Sequence, residues 1–204
     1  MRKVQFAVDN FYHIYNRGVE KRDIFMNNAD FGRFYASMFI FNNTLCQANI
    51  WRICSTLSVE QHSVLNSGEK REPLVRILGF CLMSNHFHML VEPLVENGVP
   101  KFMHKLLMGY SKYFNQKYDR KGRLYEGEFK AVLAESDAQF RHLLRYVHLN
   151  VLDLTDLNWR EGKITDWNKA SQFLEKYPWS SHNVHLGKPQ ILPVVEKGIM
   201  SEIF

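Results

Sequence analysis

The sequence predicts an α+β fold: a ferredoxin-like (split βαβ) antiparallel sheet with helices on one face, followed by one more helix and a tail. Three observations predict it. Short aromatic and β-branched runs alternate with stretches of helical period in the order β-α-ββ-α-β-α. Two of the strand-like runs are separated by only two residues, which is hairpin spacing. The chain has 204 residues, 46% of them apolar, enough to build the core of one domain.

Residues 11–16 (FYHIYN) read as a first strand that stops at the turn signal Asn16-Arg17-Gly18. From Asn28 to Phe41, Phe31, Phe34, Tyr35, Met38 and Phe39 recur at helical spacing, with Asp30 near the start. Residues 42–73 turn polar (NNT, LNSGEKREP) and read as an insertion. The runs 76–83 and 86–93 flank Ser84-Asn85 and form the predicted hairpin, although that pair is not a preferred turn sequence. Between Pro100 and Tyr118, Met103, Leu107, Tyr110, Phe114 and Tyr118 share one helical face, and Lys101, Lys105 and Lys112 share the opposite one. Leu124 to Leu133 reads as the last strand. A final helix begins near Asp137, a plausible cap, and carries Phe140, Leu143, Leu144, Val147 and Val151 as its stripe. The domain is expected over 1–152. Residues 153–204 form a tail whose aromatics, Trp159, Trp167 and the run Tyr177-Pro178-Trp179, predict that it packs onto the domain.

Composition excludes several classes. No segment has the apolar length of a membrane span or a signal-peptide core, which predicts a cytoplasmic protein. Cys46, Cys54 and Cys81 are odd in number and lack CxxC spacing, so neither a disulfide framework nor a zinc-thiolate site is expected. Residues 101–130 hold eight Lys/Arg against three Asp/Glu, an excess equal to the chain's whole net charge of +5. Such concentration suits a binder of phosphate backbones, and a solvated helix face produces the same pattern.

Two constellations carry chemistry. His86 and His88 lie two apart in a predicted strand, so both imidazoles leave the same face while Phe87, Met89 and Val91 enter the core. Two nitrogen ligands can thereby reach one divalent ion; among nine histidines one such pair also arises by chance. Tyr146 stands four residues after His142 and four before Asn150, one column along the last helix beside its apolar stripe. A tyrosine there packs its ring and still presents its hydroxyl.

Together with the early YHIYNRG, the runs GFCLMSNHFHMLVEP, YSKYFNQKYDRKGRLYEGEFKAVL, LLRYVHLNV and YPWSSH resemble the single-tyrosine transposases of the HUH nuclease superfamily, above all the REP-associated tyrosine transposases. The likeness covers residues 11–41 and 75–182. It implies that His86-Phe87-His88 is the metal motif, that Tyr146 is the nucleophile, and that Asn150 is a third, amide ligand. It also implies Mg²⁺ or Mn²⁺ as cofactor, single-stranded DNA with a hairpin as partner, and a monomer or homodimer. The chain departs from the pattern at Ser84 and Val151, where prolines are usual, and in the length of residues 42–73. In related insertion-sequence enzymes the amide is usually Gln, so Asn150 is a shorter replacement.

The resemblance implies a metal-dependent single-strand endonuclease and strand-transferase acting through a 5′-phosphotyrosine. A phenol ordinarily titrates near pH ~10, so it needs help to lose its proton; His142 is the candidate one turn away. In this reading Lys101, Lys105, Lys112, Arg120, Lys121 and Arg123 follow the DNA phosphates, Tyr110, Tyr113 and Tyr125 are candidates for stacking bases, and Asn16 and Arg17 lie near DNA. The alternatives are a catalytically inactive DNA- or RNA-binding protein of the same fold, and a water-using phosphoesterase that needs no tyrosine.

Overall fold

The structure, a computed structural model, describes residues 4–45, 71–157, 159–162, 164 and 166–196. Most of the expected insertion at 42–73 lies outside these residues, as do Cys46 and Cys54; Cys81 is a buried free thiol. Strand β1 (Tyr12–Arg17) is followed by helix α1 (Asn28–Phe41), the hairpin β2 (Val75–Met83) and β3 (His86–Pro93), helix α2 (Gly98–Lys117), strand β4 (Lys130–Leu133) and helix α3 (Asp137–Leu149). The sheet order β2-β3-β1-β4, antiparallel throughout, interlocks two βαβ units and is the predicted plan.

Local chemistry sets the boundaries. Asn27 caps α1 by accepting from the Asp30 amide at 3.2 Å. On α3 the cap is Ser136, whose hydroxyl accepts from the Gln139 amide; Asp137, expected there, is instead the first helical residue, where its charge favours the positive end of the helix dipole. At the entry to α2, Gly98 is required, because a Cβ there meets the Leu74 carbonyl oxygen at 2.2 Å. The β2–β3 turn holds despite its unfavourable sequence because tertiary bonds fix it. The Ser84 carbonyl accepts from the Ile24 and Phe25 amides at 2.7 and 2.9 Å, and the Asn85 carbonyl accepts from the Gly18 amide at 2.9 Å.

The last strand is shorter than expected. Leu124, Tyr125 and Phe129 are buried while Glu126, Gly127 and Glu128 are exposed, and the regular ladder with β1 is confined to 130–133; upstream, Tyr125 makes an isolated bridge to Gly18 and the Glu126 amide donates to the Arg17 carbonyl at 3.0 Å. Asn16 also holds this segment by donating to the Gly127 carbonyl at 3.1 Å.

Period-two alternation in β1 and β3 divides the sheet into two faces. Tyr12, Ile14, Phe87, Met89 and Val91 point to α1 and α2 and join Phe34, Phe102 and Tyr110 in the larger core. The other face is covered as well: α3 packs Phe140, Leu143 and Leu144 on Leu78 and Leu90. Beside it a 3₁₀ turn (Asn150–Leu154) and helix α4 (Trp167–Lys176) enclose Cys81, Met83, Val147 and Leu174.

The tail then runs along β2, with the Leu82 amide donating to the Trp179 carbonyl and the Ser181 hydroxyl accepting from the Phe80 amide, both at 2.8 Å. This blocks an otherwise unpaired sheet edge. A short helix, α5 (His182–His185), follows, and Leu192, Val194 and Val195 end in the core on the far face. Among the described residues no helix is long and apolar enough to cross a membrane.

Candidate active site

The register puts His13, Tyr15 and Arg17 of β1 beside Leu90, His88 and His86 of β3, all on the α3 face. At the end where β1 finishes and β3 begins, Tyr15, Arg17, His86 and His88 border a pocket of about 380 Å³. It is lined by Tyr15, Asn16, Arg17, Asn85, His86, His88, Glu126, Lys130, Tyr146, Asp153 and Arg160.

His86 and His88 rings stand 5.0 Å apart and nearly perpendicular. The Asn85 side-chain carbonyl can only accept, so the 2.6 Å contact makes His86 Nδ1 the donor and leaves Nε2 with a free lone pair. His88 Nδ1 lies 2.8 Å from His13 Nε2. With Nδ1–H donating to His13, His88 Nε2 is likewise a free acceptor. Burial lowers His88 to about 2, reinforced by the neighbouring His13, His86 and Arg160, and burial alone lowers His13 to about 4. Burial also lowers His86, with Asp153 opposing and Arg17 and Arg160 adding to the effect. All three are therefore neutral at physiological pH, the state in which imidazole binds a metal.

Helix α3 brings Tyr146 to the same place. Its ring is 5.6 Å from the His88 ring and 5.6 Å from the His13 ring, edge on in both cases. Arg160 Nη1 donates to the phenol oxygen at 3.3 Å, and the guanidinium lies over both the Tyr146 and the Trp159 rings. Asp153 holds Arg160 through an ion pair and also accepts from Trp159 Nε1 at 2.6 Å. The hydrogen bonds that Arg160 donates to Asp153 raise the Arg160 pKa. Asp153 resists its own burial through the bonds from Arg160 and Trp159 and titrates below the ordinary carboxylate range.

Asn150 is fully buried: its amide nitrogen donates to the Tyr146 carbonyl at 2.8 Å, and its side-chain oxygen accepts from Arg160 Nη2 at 3.1 Å. Among the described residues no group of three or more His, Cys, Asp or Glu is placed to hold a metal ion. The donor set that fits one is the pair of free imidazole nitrogens. The Asn150 side-chain oxygen, the expected third ligand, is already engaged by Arg160 through one of its two lone pairs.

The sequence-predicted DNA contacts divide in two. Asn16 and Arg17 line the pocket, and Arg17 Nε donates to Glu126 at 2.8 Å. Lys101 and Lys112 are exposed on α2, which packs on the opposite face of the sheet, and Lys105 there donates to the Asn43 carbonyl at 3.0 Å. Arg120 donates to Asn115 at 3.1 Å, while Lys121 and Arg123 are exposed in the following loop. Tyr110 donates to the Ile24 carbonyl at 2.6 Å inside the core, which leaves it no free ring face for a base. His142 lies 6.5 Å from the Tyr146 ring, on the side away from the histidines. Sequence reasoning missed His13, although its alternation with Tyr15 and Arg17 marks it. Nothing in the sequence marks Asp153 or Arg160, which a chain reversal after α3 delivers.

Comparison with known proteins adds to this geometry. Residues 60–150 match the family model described as IS200-like transposase. That match spans just under half of the chain. It contains β2 through α3 and with them His86, His88, Tyr146 and Asn150. No curated protein sequence matches the chain. The fold of this chain is similar to that of a solved REP-associated tyrosine transposase bound to a REP hairpin. The two are 9% identical, with a TM-score of 0.54 over 96% of this chain and 90% of that one.

Proposed function

We propose that the chain is a metal-dependent single-stranded DNA endonuclease and strand-transferase in which Tyr146 forms a 5′-phosphotyrosine, most readily on DNA that carries a hairpin. The observation that carries this reading is the Tyr146 ring standing 5.6 Å from the His88 ring over a shared pocket.

In this reading the scissile phosphate enters among His86, His88, Arg17 and Arg160. His86 and His88 would hold Mg²⁺ or Mn²⁺, with Asn150 as third ligand through the other lone pair of its side-chain oxygen, and a bound divalent ion offsets charge on the phosphoryl oxygens. The phenol oxygen of Tyr146 bonds to phosphorus, the bond to the 3′ oxygen breaks, and the phenolic proton is matched by the one gained on the freed 3′-hydroxyl. Arg160, already donating to the phenol oxygen, is positioned to stabilise negative charge on the oxygens of the transition state. One phosphodiester replaces another, so attack by a second 3′-hydroxyl rejoins DNA without a nucleotide cofactor.

Arg17 and Asn16 would grip the strand at the cut. Lys101, Lys105 and Lys112, with Arg120, Lys121 and Arg123, are on the other layer and would meet only a distal stretch of the hairpin.

The test uses labelled single-stranded hairpins with Mg²⁺ or Mn²⁺ on a denaturing gel. Wild type is expected to give a shifted, protease-sensitive band, and Tyr146→Phe to bind DNA and give none. Cleavage by Tyr146→Phe would turn the reading into a water-using esterase. Binding by wild type without any adduct across both metals would turn it into a binding protein.

A further inference from the structure

Tyr146 is a partition, with the histidine pocket on one side and on the other a second cleft of about 510 Å³ that shares Tyr146 and Arg160 with it. This volume falls within the roughly 300–1,000 Å³ of small-ligand sites. Its composition differs from that of the first pocket. Trp159, Trp167, Leu149 and Ile164 supply apolar surface and Arg145, Arg160 and His142 supply donors; none of its lining residues is acidic, whereas Glu126 and Asp153 line the histidine side. Trp167, the first residue of α4, is 63% exposed, an unusual position for the largest apolar side chain, and Arg145 is exposed beside it on α3.

We infer that this second cleft is a nucleotide site that holds the base and phosphate of the strand attached to Tyr146, on the 5′-phosphate side of the cut. The inference rests on the nuclease reading above. In an in-line displacement the attacking and leaving oxygens lie on opposite sides of phosphorus. The strand that ends in the 3′-hydroxyl therefore departs away from the phenol, and the 5′-linked nucleoside stays on the tyrosine side.

Exposed indole is the surface on which any base stacks, and guanidinium takes the adjoining phosphate without reading sequence. Arg160 spans both compartments: it donates to the phenol and lies 4.9 Å from the Trp159 ring centre, so it can follow one phosphate from cleavage to the covalent state. Holding that nucleotide keeps the severed strand in place while the second 3′-hydroxyl arrives.

The experiment is a binding titration of the full chain in EDTA, where no strand is cut. The probes are a 5′-phosphorylated ten-thymidine oligonucleotide and a ten-unit abasic strand of the same charge, read by tryptophan fluorescence and anisotropy. The thymidine strand is expected to bind more tightly than the abasic one by between about fivefold and a hundredfold, and to quench fluorescence. Trp167→Ala, a change at an exposed site that leaves packing intact, is expected to remove most of the quench and of the preference for bases. Arg145→Ala is expected to weaken both probes equally and to lower the salt dependence.

Unchanged base preference in Trp167→Ala overturns the inference. The adduct assay separates the two readings. Adduct formation by wild type together with an unaltered preference in Trp167→Ala removes the cleft and leaves the nuclease; loss of preference in Trp167→Ala with no wild-type adduct removes the nuclease and leaves a base-stacking surface.

Discussion

The two faces of the sheet are built from different residues. Against α1 and α2 the sheet presents Tyr12, Ile14, Phe87, Met89 and Val91, and the layer closes on Phe34, Phe102 and Tyr110. A buried carboxylate in this layer, Asp30, is heavily satisfied. It accepts from the Met26 amide, Tyr113, Tyr118 and Lys117, and these bonds outweigh the upward push of burial to leave its pKa below the ordinary value. Against α3 the same strands present His13, His86 and His88; α3 itself adds His148, and the tail adds Ser181, Asp153 and Arg160.

The larger apolar core thus lies in one layer, while the other combines smaller apolar clusters with buried histidines. Burial of neutral imidazoles on the second face costs stability that the first must supply.

The sharpest break in that contrast is a cavity on the apolar side. Phe34 is fully buried and touches the Phe25, Phe87 and Tyr110 rings. Phe34→Ala is expected to cost about 3–5 kcal/mol in urea unfolding, while adduct formation per folded molecule stays unchanged. A specific loss of cleavage at full folding would mean that the faces are coupled through the sheet.

Acid is the next test and acts on the other side. Burial lowers His148 to about 3, with His185 and His182 adding to the effect, and His13 and His88 sit at about 4 and about 2. These folded values lie below the unfolded one of about 6.5. The unfolded chain binds the proton first, so their stabilisation is complete above pH ~6.5 and drains as pH falls. From pH 7 to pH 5 each is expected to remove about 2 kcal/mol. Hydrogen exchange should quicken in α3 and the tail before α1 and α2, and His148→Gln should flatten the slope. Uniform loss across both layers would refute the division.

How much was legible follows from the same contrast. The α1/α2 face announces itself in hydrophobic period, which gave α1 from Asn28 to Phe41 and both hairpin strands to within a residue. On the site face the residues within one element were readable: His86 with His88 by strand alternation, and Tyr146 with Asn150 by helical spacing. What joins elements was not. Arg160 follows a 3₁₀ turn that local propensity does not mark, and it reaches Tyr146 only because Leu157 and Val151 fold the chain back onto β2. The sequence overstates the extent of β4 because the alternation in 124–133 is interrupted at Gly127, whose carbonyl accepts from the Asn16 side chain rather than from the backbone of β1.

The smallest expected effect separates stability from function most cleanly. His13 has one polar contact that matters, its 2.8 Å bond with His88, and both rings are almost wholly buried. Replacing His13 alone with Leu leaves His88 Nδ1 without its partner in a dry place, which costs about 1–3 kcal/mol. Replacing both removes the need for the bond, and two apolar side chains of similar size are expected to bring the double variant back to within about 1 kcal/mol of wild type. The double variant, lacking a proposed metal ligand, would form no adduct. If the two losses simply add, the pair contributes to the fold on its own account; if they cancel, the histidines are kept on this face only for the chemistry at Tyr146.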